Sequence, residues 1–272
     1  MDTLLNWDIT EKKVYSNNVE LKSHKAIFRN DNGKLLNVAK ESYTPTTNAR
    51  FKEVVNRMQD ITGFPLQCFD EFDNGKKVLA FLKCTEPIQV LGYDFEDYML
   101  IGNSHDSSTG FFIGNSSKMI RCQNRFSRVF RNLNVYHTRN HDSKIDSMLK
   151  SFEIFMQERK QLFSKMESME KIKIDATLKF ALIERLTNMT EEEKLGKVEM
   201  STRKQNLVNN LNYCITEECA ALGENAFGLF QGVTNYTTHA RKNKEVFCNA
   251  LGGAATLNEQ AYTFCEQLIY KN

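Results

Sequence analysis

The sequence has little of what usually stiffens or staples a chain. Its 3 prolines (Pro45, Pro65 and Pro87) all lie in the first half of 272 residues, so nothing in the second half interrupts helix. No two cysteines are spaced C-x-x-C. The seven present, Cys68, Cys84, Cys122, Cys214, Cys219, Cys248 and Cys265, are scattered and odd in number. That pattern argues against a disulfide framework or a zinc site and for reduced, mostly buried thiols in a cytoplasmic protein. No uninterrupted apolar run is long enough for a membrane span, and the acid-bearing start MDTLLNWD is no secretion signal. G-x-x-x-x-G-K-[ST], G-x-G-x-x-G and H-E-x-x-H are all missing, so no cofactor and no metal is expected. A net charge of +2 excludes no partner by its sum, and its distribution carries more information.

What is present is ordinary globular material, 41% hydrophobic and 26% charged, with enough length to bury a core. The first half reads as strands. Ala26–Arg29 and Lys34–Val38 flank Asn32-Gly33, and Leu66–Phe72 and Lys76–Cys84 flank Asn74-Gly75, two antiparallel hairpin signals. Further strands are predicted at Phe95–Gly102, Gly110–Ile113 and Lys118–Cys122. A helix is predicted from Asn48, as its N-cap, to about Asp60, with Phe51, Val54, Val55 and Met58 as its buried stripe. Beyond Cys122 the period becomes helical, predicting helices near 123–134, 142–168, 172–187, 202–222, 224–240 and 257–270. The expected architecture is one α+β domain over 1–272, with an antiparallel, sheet-rich part at 20–122 and helices packed after it at 123–272.

One stretch stands out. IRCQNRFSRVFRNL, residues 120–133, interleaves four arginines with apolar residues, and Asp142 is the only acid from 121 to 144. On a helix, Phe126, Val129, Phe130 and Leu133 would be buried while Arg125, Arg128 and Arg131 project outward, near Arg121, His137, Arg139, His141 and Lys144. Guanidinium forks match phosphate oxygens, so a rigid array of them suits a polyanion backbone. The competing reading is a solvated face whose arginines pair with acids elsewhere, such as the Asp94–Asp97 cluster.

Two polar motifs invite other chemistry. In Ser104-His105-Asp106-Ser107-Ser108 a histidine stands beside an aspartate, as acid–base work requires. Neighbours on extended chain point apart, however, and a polar turn held by side-chain-to-backbone bonds explains the same residues. Asn235 and His239 lie four apart in NAFGLFQGVTNYTTHARK, suited to a ligand or to a buried polar network, and Gly228 and Gly232 permit close helix packing.

Three segments resemble the phage/plasmid-like proteins of domain-of-unknown-function family 932. SHDSSTGFFIGNSSKMIRCQNRF is similar to its S-H-D-G-S…R-V-V-C-x-N-T segment, with Ser107 in place of Gly and Arg125 in place of Thr. NVAKESYTPTTNARF resembles its strand–tyrosine–loop–Asn segment. LGENAFGLFQGVTNYTTHARKN resembles its C-terminal aromatic…N-A-V-T-x-Y-x-x-H segment, with Gln231-Gly232 in place of Asn-Ala. The resemblance implies a bacterial, plasmid- or virus-borne protein, cytoplasmic, in the bacterial host's cytoplasm if virus-borne. Its element order is similar to that of single-strand annealing proteins, a fold-level analogy.

The resulting expectation is a single-stranded-DNA binding or annealing protein of recombination or replication, a homo-oligomer with no membrane partner. Arg121, Arg125, Arg128, Arg131, Arg139 and Lys144 would grip phosphates, and Tyr136 would stack on bases. The alternatives are an enzyme whose pocket gathers His105, Asp106, Asn124, Asn235, Tyr236 and His239, or a virion or host-interaction protein.

Overall fold

A computed structural model describes residues 5–86, 88–242 and 250–271; Cys248 lies outside them. The order of elements is α+β as expected. Strands β1 (Ile9–Ser16), β2 (Val19–Arg29) and β3 (Leu35–Lys40) form one antiparallel sheet, and helix α1 (Asn48–Thr62) follows. The second sheet runs β4 (Leu66–Phe72), β5 (Lys77–Lys83), β7 (Tyr93–Ser104), β8 (Phe111–Met119), β9 (Arg125–Val135), and the short β6 (Ile88–Val90) pairs with β7. Helices α2 (His141–Leu149), α3 (Phe152–Glu170), α4 (Ala176–Thr187), α5 (Glu191–Lys194), α6 (Thr202–Leu222), α7 (Ala226–Asn235) and α8 (Gly253–Ile269) complete the chain, with a π-turn at Tyr236–Ala240.

Both predicted hairpins form, by different turns. In the first only Gly33 takes positive φ (68°), whereas Asp73, Asn74 and Gly75 all do in the second (47°, 61°, 91°). A third hairpin, unsuspected in the sequence, joins β1 to β2 through Asn17 and Asn18 at φ 47° and 63°.

Two compact units arise, one from residues 1–86, 97–116 and 129–159, the other from 87–96, 117–128 and 160–272. The first unit's core gathers Phe51, Val54, Val55 and Met58 of α1 with Val78, Leu82, Met99, Phe111, Phe130 and Ile145. The second unit's core is built from Phe126, Phe163, Leu211, Ile215, Phe227, Phe230 and Tyr262.

Four local expectations are corrected. The helix predicted at 123–134 is replaced by strand β9 from Arg125 onward: Phe126 feeds the second core while Phe130 and Leu133 feed the first, and one strand serving two cores imitates a helical i, i+3, i+4, i+7 stripe. The predicted strand Lys118–Cys122 is instead the end of β8 and the turn into β9, closed by Gln123 N–H to the Met119 carbonyl at 2.8 Å. The long helix at 142–168 is two, because Lys150 and Ser151 donate to Ser147 and Met148 and close α2 with i→i−3 bonds. Thr47, not Asn48, caps α1, its hydroxyl accepting from Arg50 N–H at 3.1 Å; Asn48 is buried and bonded elsewhere.

Candidate functional site

In the first unit, β3, the loop after it, the turn after β7 and the segment after β9 wall an open pocket of about 800 Å³. Asn37, Lys40, Tyr43, Ser107, His137 and Arg139 are among its lining residues. The turn is built by its polar residues. Ser104 Oγ donates to the Thr109 carbonyl (2.7 Å) and accepts from Thr109 N–H (3.1 Å), and Asp106 Oδ1 accepts from Ser108 N–H (2.9 Å). Ser107, where the resembled family has glycine, sits at φ 63° and accepts from Asn37 Nδ2 at 2.7 Å. Tyr43 Oη donates to the Ser104 carbonyl at 3.0 Å, and burial drives its pKa well above the usual phenol range.

His105 is fully buried behind that turn. Its Nε2 bonds Asn48 Oδ1 at 3.0 Å, and Asn48 Nδ2 donates to the Trp7 carbonyl at 3.0 Å. With Asn48 accepting, His105 carries its proton on Nε2 and leaves Nδ1 without a partner. Burial, aided by nearby His137, lowers its pKa to about 4. His105 and Asp106 thus act apart, one as a buried anchor for α1 and the other as a turn former.

His137 is the less settled side chain. It is 8% exposed, both ring nitrogens are closed off from solvent without a well-formed hydrogen bond, and Tyr43 lies against it at 5.1 Å between ring centroids. Burial first, and His141 second, lower its pKa to about 4, against weak opposition from the Thr44 backbone. At neutral pH it is an uncharged imidazole, so it does not belong to the cationic stretch as its sequence position suggested.

The basic residues divide between the units. In the first, Arg131, Arg139 and Lys144 are exposed, Tyr136 is 72% exposed, and none of these cations has a carboxylate partner among the described residues. In the second, Arg128 is occupied: it lies 4.5 Å over the Tyr262 ring and pairs with Glu259 at 3.2 Å. Arg121 donates to Tyr93 Oη at 3.2 Å and covers that ring, and Arg125 has no carboxylate partner among the described residues. The Asp94–Asp97 cluster is engaged elsewhere. Asp97 is buried against Arg159 and Asn115, and Asp94 accepts from Gln89.

The second unit holds a buried polar network that the sequence reading only half anticipated. Asn124 Nδ2 donates to Glu218 Oε1 (3.0 Å) and to Gln231 Oε1 (3.3 Å), and Asn235 Nδ2 donates to the same Glu218 oxygen (2.7 Å). The π-turn widens the backbone after α7 so that successive side chains reach across. Thr237 Oγ1 donates to Asn258 Oδ1 (2.8 Å), Thr238 Oγ1 accepts from Arg125 N–H (3.1 Å), and His239 Nε2 meets the Cys122 carbonyl (3.0 Å). Tyr236 is buried at the head of this turn, and burial raises its pKa. The six residues of the enzyme alternative therefore fall into two sets, His105 and Asp106 in the first unit and Asn124, Asn235, Tyr236 and His239 in the second. Glu218 was missed, although an acid between Ile215 and Cys219 on a helix's apolar side was its signal.

Among the described residues no group of three or more His, Cys, Asp or Glu is placed to hold a metal ion, and no helix is long and apolar enough to cross a membrane. Neither a curated protein nor a solved structure matches the chain. A family model, Domain of unknown function (DUF932), matches residues 35–261, a span that takes in the pocket segments, β8–β9 and the network. The chain belongs to the DUF932 family.

Proposed function

We propose that this protein binds single-stranded DNA and serves annealing in the recombination or replication of a phage or mobile element. One observation carries the reading: Arg131, Arg139 and Lys144 are exposed without carboxylate partners among the described residues, in a stretch that also exposes Tyr136. Unneutralised cations favour a polyanion, and an exposed aromatic beside them favours unpaired bases, since only single strands offer faces for stacking. In the second unit, taken by itself, Arg125 likewise has no carboxylate partner among the described residues, while Arg128 is spent on Glu259 and Tyr262. Several copies along one strand belong to the same proposal. The β1–β2 hairpin presents Tyr15, Val19 and Leu21 to solvent, apolar surface suited to a second copy.

The test is a fluorescence-anisotropy titration of the whole protein with a labelled single-stranded oligonucleotide at low salt. Duplex of the same sequence and heparin serve as competitors. Tight binding that unlabelled single strand displaces far better than duplex or heparin supports the reading. Absence of binding, or displacement by heparin alone in preference to DNA, overturns it.

A further inference from the structure

The three-stranded sheet of the first unit ends on β1, which among the described residues has a strand neighbour on one side only. Its residues are exposed except for Ile9 and Val14, which are half-buried. An open edge offers backbone donors and acceptors to any passing strand, and lysines commonly serve to keep such strands away. The charges of β1 are arranged differently. Which residues aim outward follows from the pairing with β2. Asn30 N–H donates to the Asp8 carbonyl at 2.9 Å, so the even residues of β1 turn their backbone groups toward β2. At the far end the two-residue turn Asn17-Asn18 makes Ser16 and Val19 a hydrogen-bonded pair, in the same phase. Ile9, Glu11, Lys13 and Tyr15 therefore present their N–H and C=O groups outward.

A second β1 running antiparallel must match these odd residues with one another, so the two-fold axis passes through a residue. An axis at Glu11 sets acid against acid, and one at Lys13 sets ammonium against ammonium. An axis at Lys12 brings Glu11 opposite Lys13, Ile9 opposite Tyr15 and Thr10 opposite Val14, each twice. The one like-charged pair left is Lys12 with its own copy, and that ammonium is drawn back over the Phe28 ring of its own chain, 5.0 Å from the centroid. Glu11 already holds Lys25 at 2.9 Å and Lys13 holds Glu20 at 3.0 Å, so the joined edges would carry rows of alternating sign, Lys25, Glu11, Lys13, Glu20.

We propose that two copies of this chain join edge to edge through antiparallel β1 strands about Lys12, merging their sheets into one. Ile9 N–H is held by Asp8 Oδ1 at 2.8 Å, so each outermost pair supplies one backbone bond and the seam has about six. Because the same strand serves on both sides, the contact closes as a dimer. The inference rests on the part of the single-strand reading in which several copies act together. It is tested on protein without DNA, so the two can fail separately.

Analytical ultracentrifugation of the whole protein reads the contact directly. The native chain should dimerise reversibly at micromolar concentration. Glu11→Lys and Lys13→Glu each set like charges across the seam and should each weaken the dimer by about tenfold or more. An equal mixture of the two variants should regain association, because every facing pair is then opposite in sign. Lys12→Cys tests the axis. Facing residues of a non-hydrogen-bonded pair lie about 4.5 Å apart between Cα atoms, within disulfide reach, so oxidised glutathione should link two copies through that cysteine. Thr10→Cys, off the axis, should behave as the native chain does under the same treatment. All four positions are exposed, so the fold is kept. Dimerisation lost in each charge variant, regained on mixing and trapped by Lys12→Cys upholds the seam. A monomeric native chain, a dimer that either charge variant keeps, a mixture that does not recover, or no link through Lys12→Cys overturns it, and single-strand binding is then judged by its own titration.

Discussion

Acid should loosen the first unit well above the range in which carboxylates titrate. His105 and His137 both have folded pKa values lowered to about 4 from an ordinary 6.5. Between those values the unfolded chain binds protons that the folded chain refuses, so stability is fully present above pH 6.5 and is lost as pH falls toward 4. At pH 5 the linkage gives a loss on the order of 2 kcal/mol for each histidine. The groups around them do not reverse the sign. Asp8 and Asp106 favour protonation of His105, but burial, His137 and Arg29 outweigh them, and His141 adds to the effect at His137. Asp146 beside Arg50 and Arg57, and Asp31 beside Arg29, have pKa values below the ordinary 3.8, so their contributions are lost only below this window. The assay is urea unfolding at pH 7.5 and pH 5.0 followed by Trp7, the sole tryptophan, whose ring contacts His105 at 5.6 Å between centroids. His137→Phe should roughly halve the pH-dependent loss. Equal midpoints at the two pH values, or an undiminished loss in the variant, would refute buried neutral histidines.

Other expectations concern packing and charge. Arg128→Ala should destabilise the second unit by about 1–3 kcal/mol in thermal unfolding, because it strips the Tyr262 ring and Glu259 of their partner, whereas Arg131→Ala should change stability by less than about 0.5 kcal/mol. Gly232→Ala should cost about 1–3 kcal/mol or more, since a Cβ there collides with the Ile215 backbone of α6; an unchanged melting temperature would mean that α7 packs otherwise. Glu218→Ala leaves the amides of Asn124 and Asn235 without their shared acceptor and should cost about 1–3 kcal/mol, seen as faster hydrogen exchange in β9 and α7.

The α+β order was legible because turn chemistry and apolar period are local signals. Asn-Gly pairs marked two hairpins, and the stripe Phe51, Val54, Val55, Met58 marked α1. The nature of β9 was not legible. Phe126 and Phe130 share a parity on the strand but enter different cores, and sequence spacing alone cannot separate that from a helix face. The same error put Arg128 among the outward cations, although Tyr262 and Glu259, more than a hundred residues later, hold it. His137 was read only as a neighbour of the cations, because its burial depends on contacts with Tyr43 and His141 that spacing does not show. The polar network was half visible: the spacing of Asn235 and His239 suggested it, but Glu218 and Asn124 join only when the π-turn brings α7 to the β8–β9 turn.

The most direct measurement of the central claim is the salt dependence of single-strand affinity for the native chain and for an Arg131→Ala/Arg139→Ala/Lys144→Ala variant. Each phosphate contact on a single strand contributes about 0.7 to the slope of log affinity against log salt, so the variant's slope should be shallower by about 2 while its melting temperature is unchanged. Identical slopes in the two proteins would mean that these three cations do not touch the phosphate backbone.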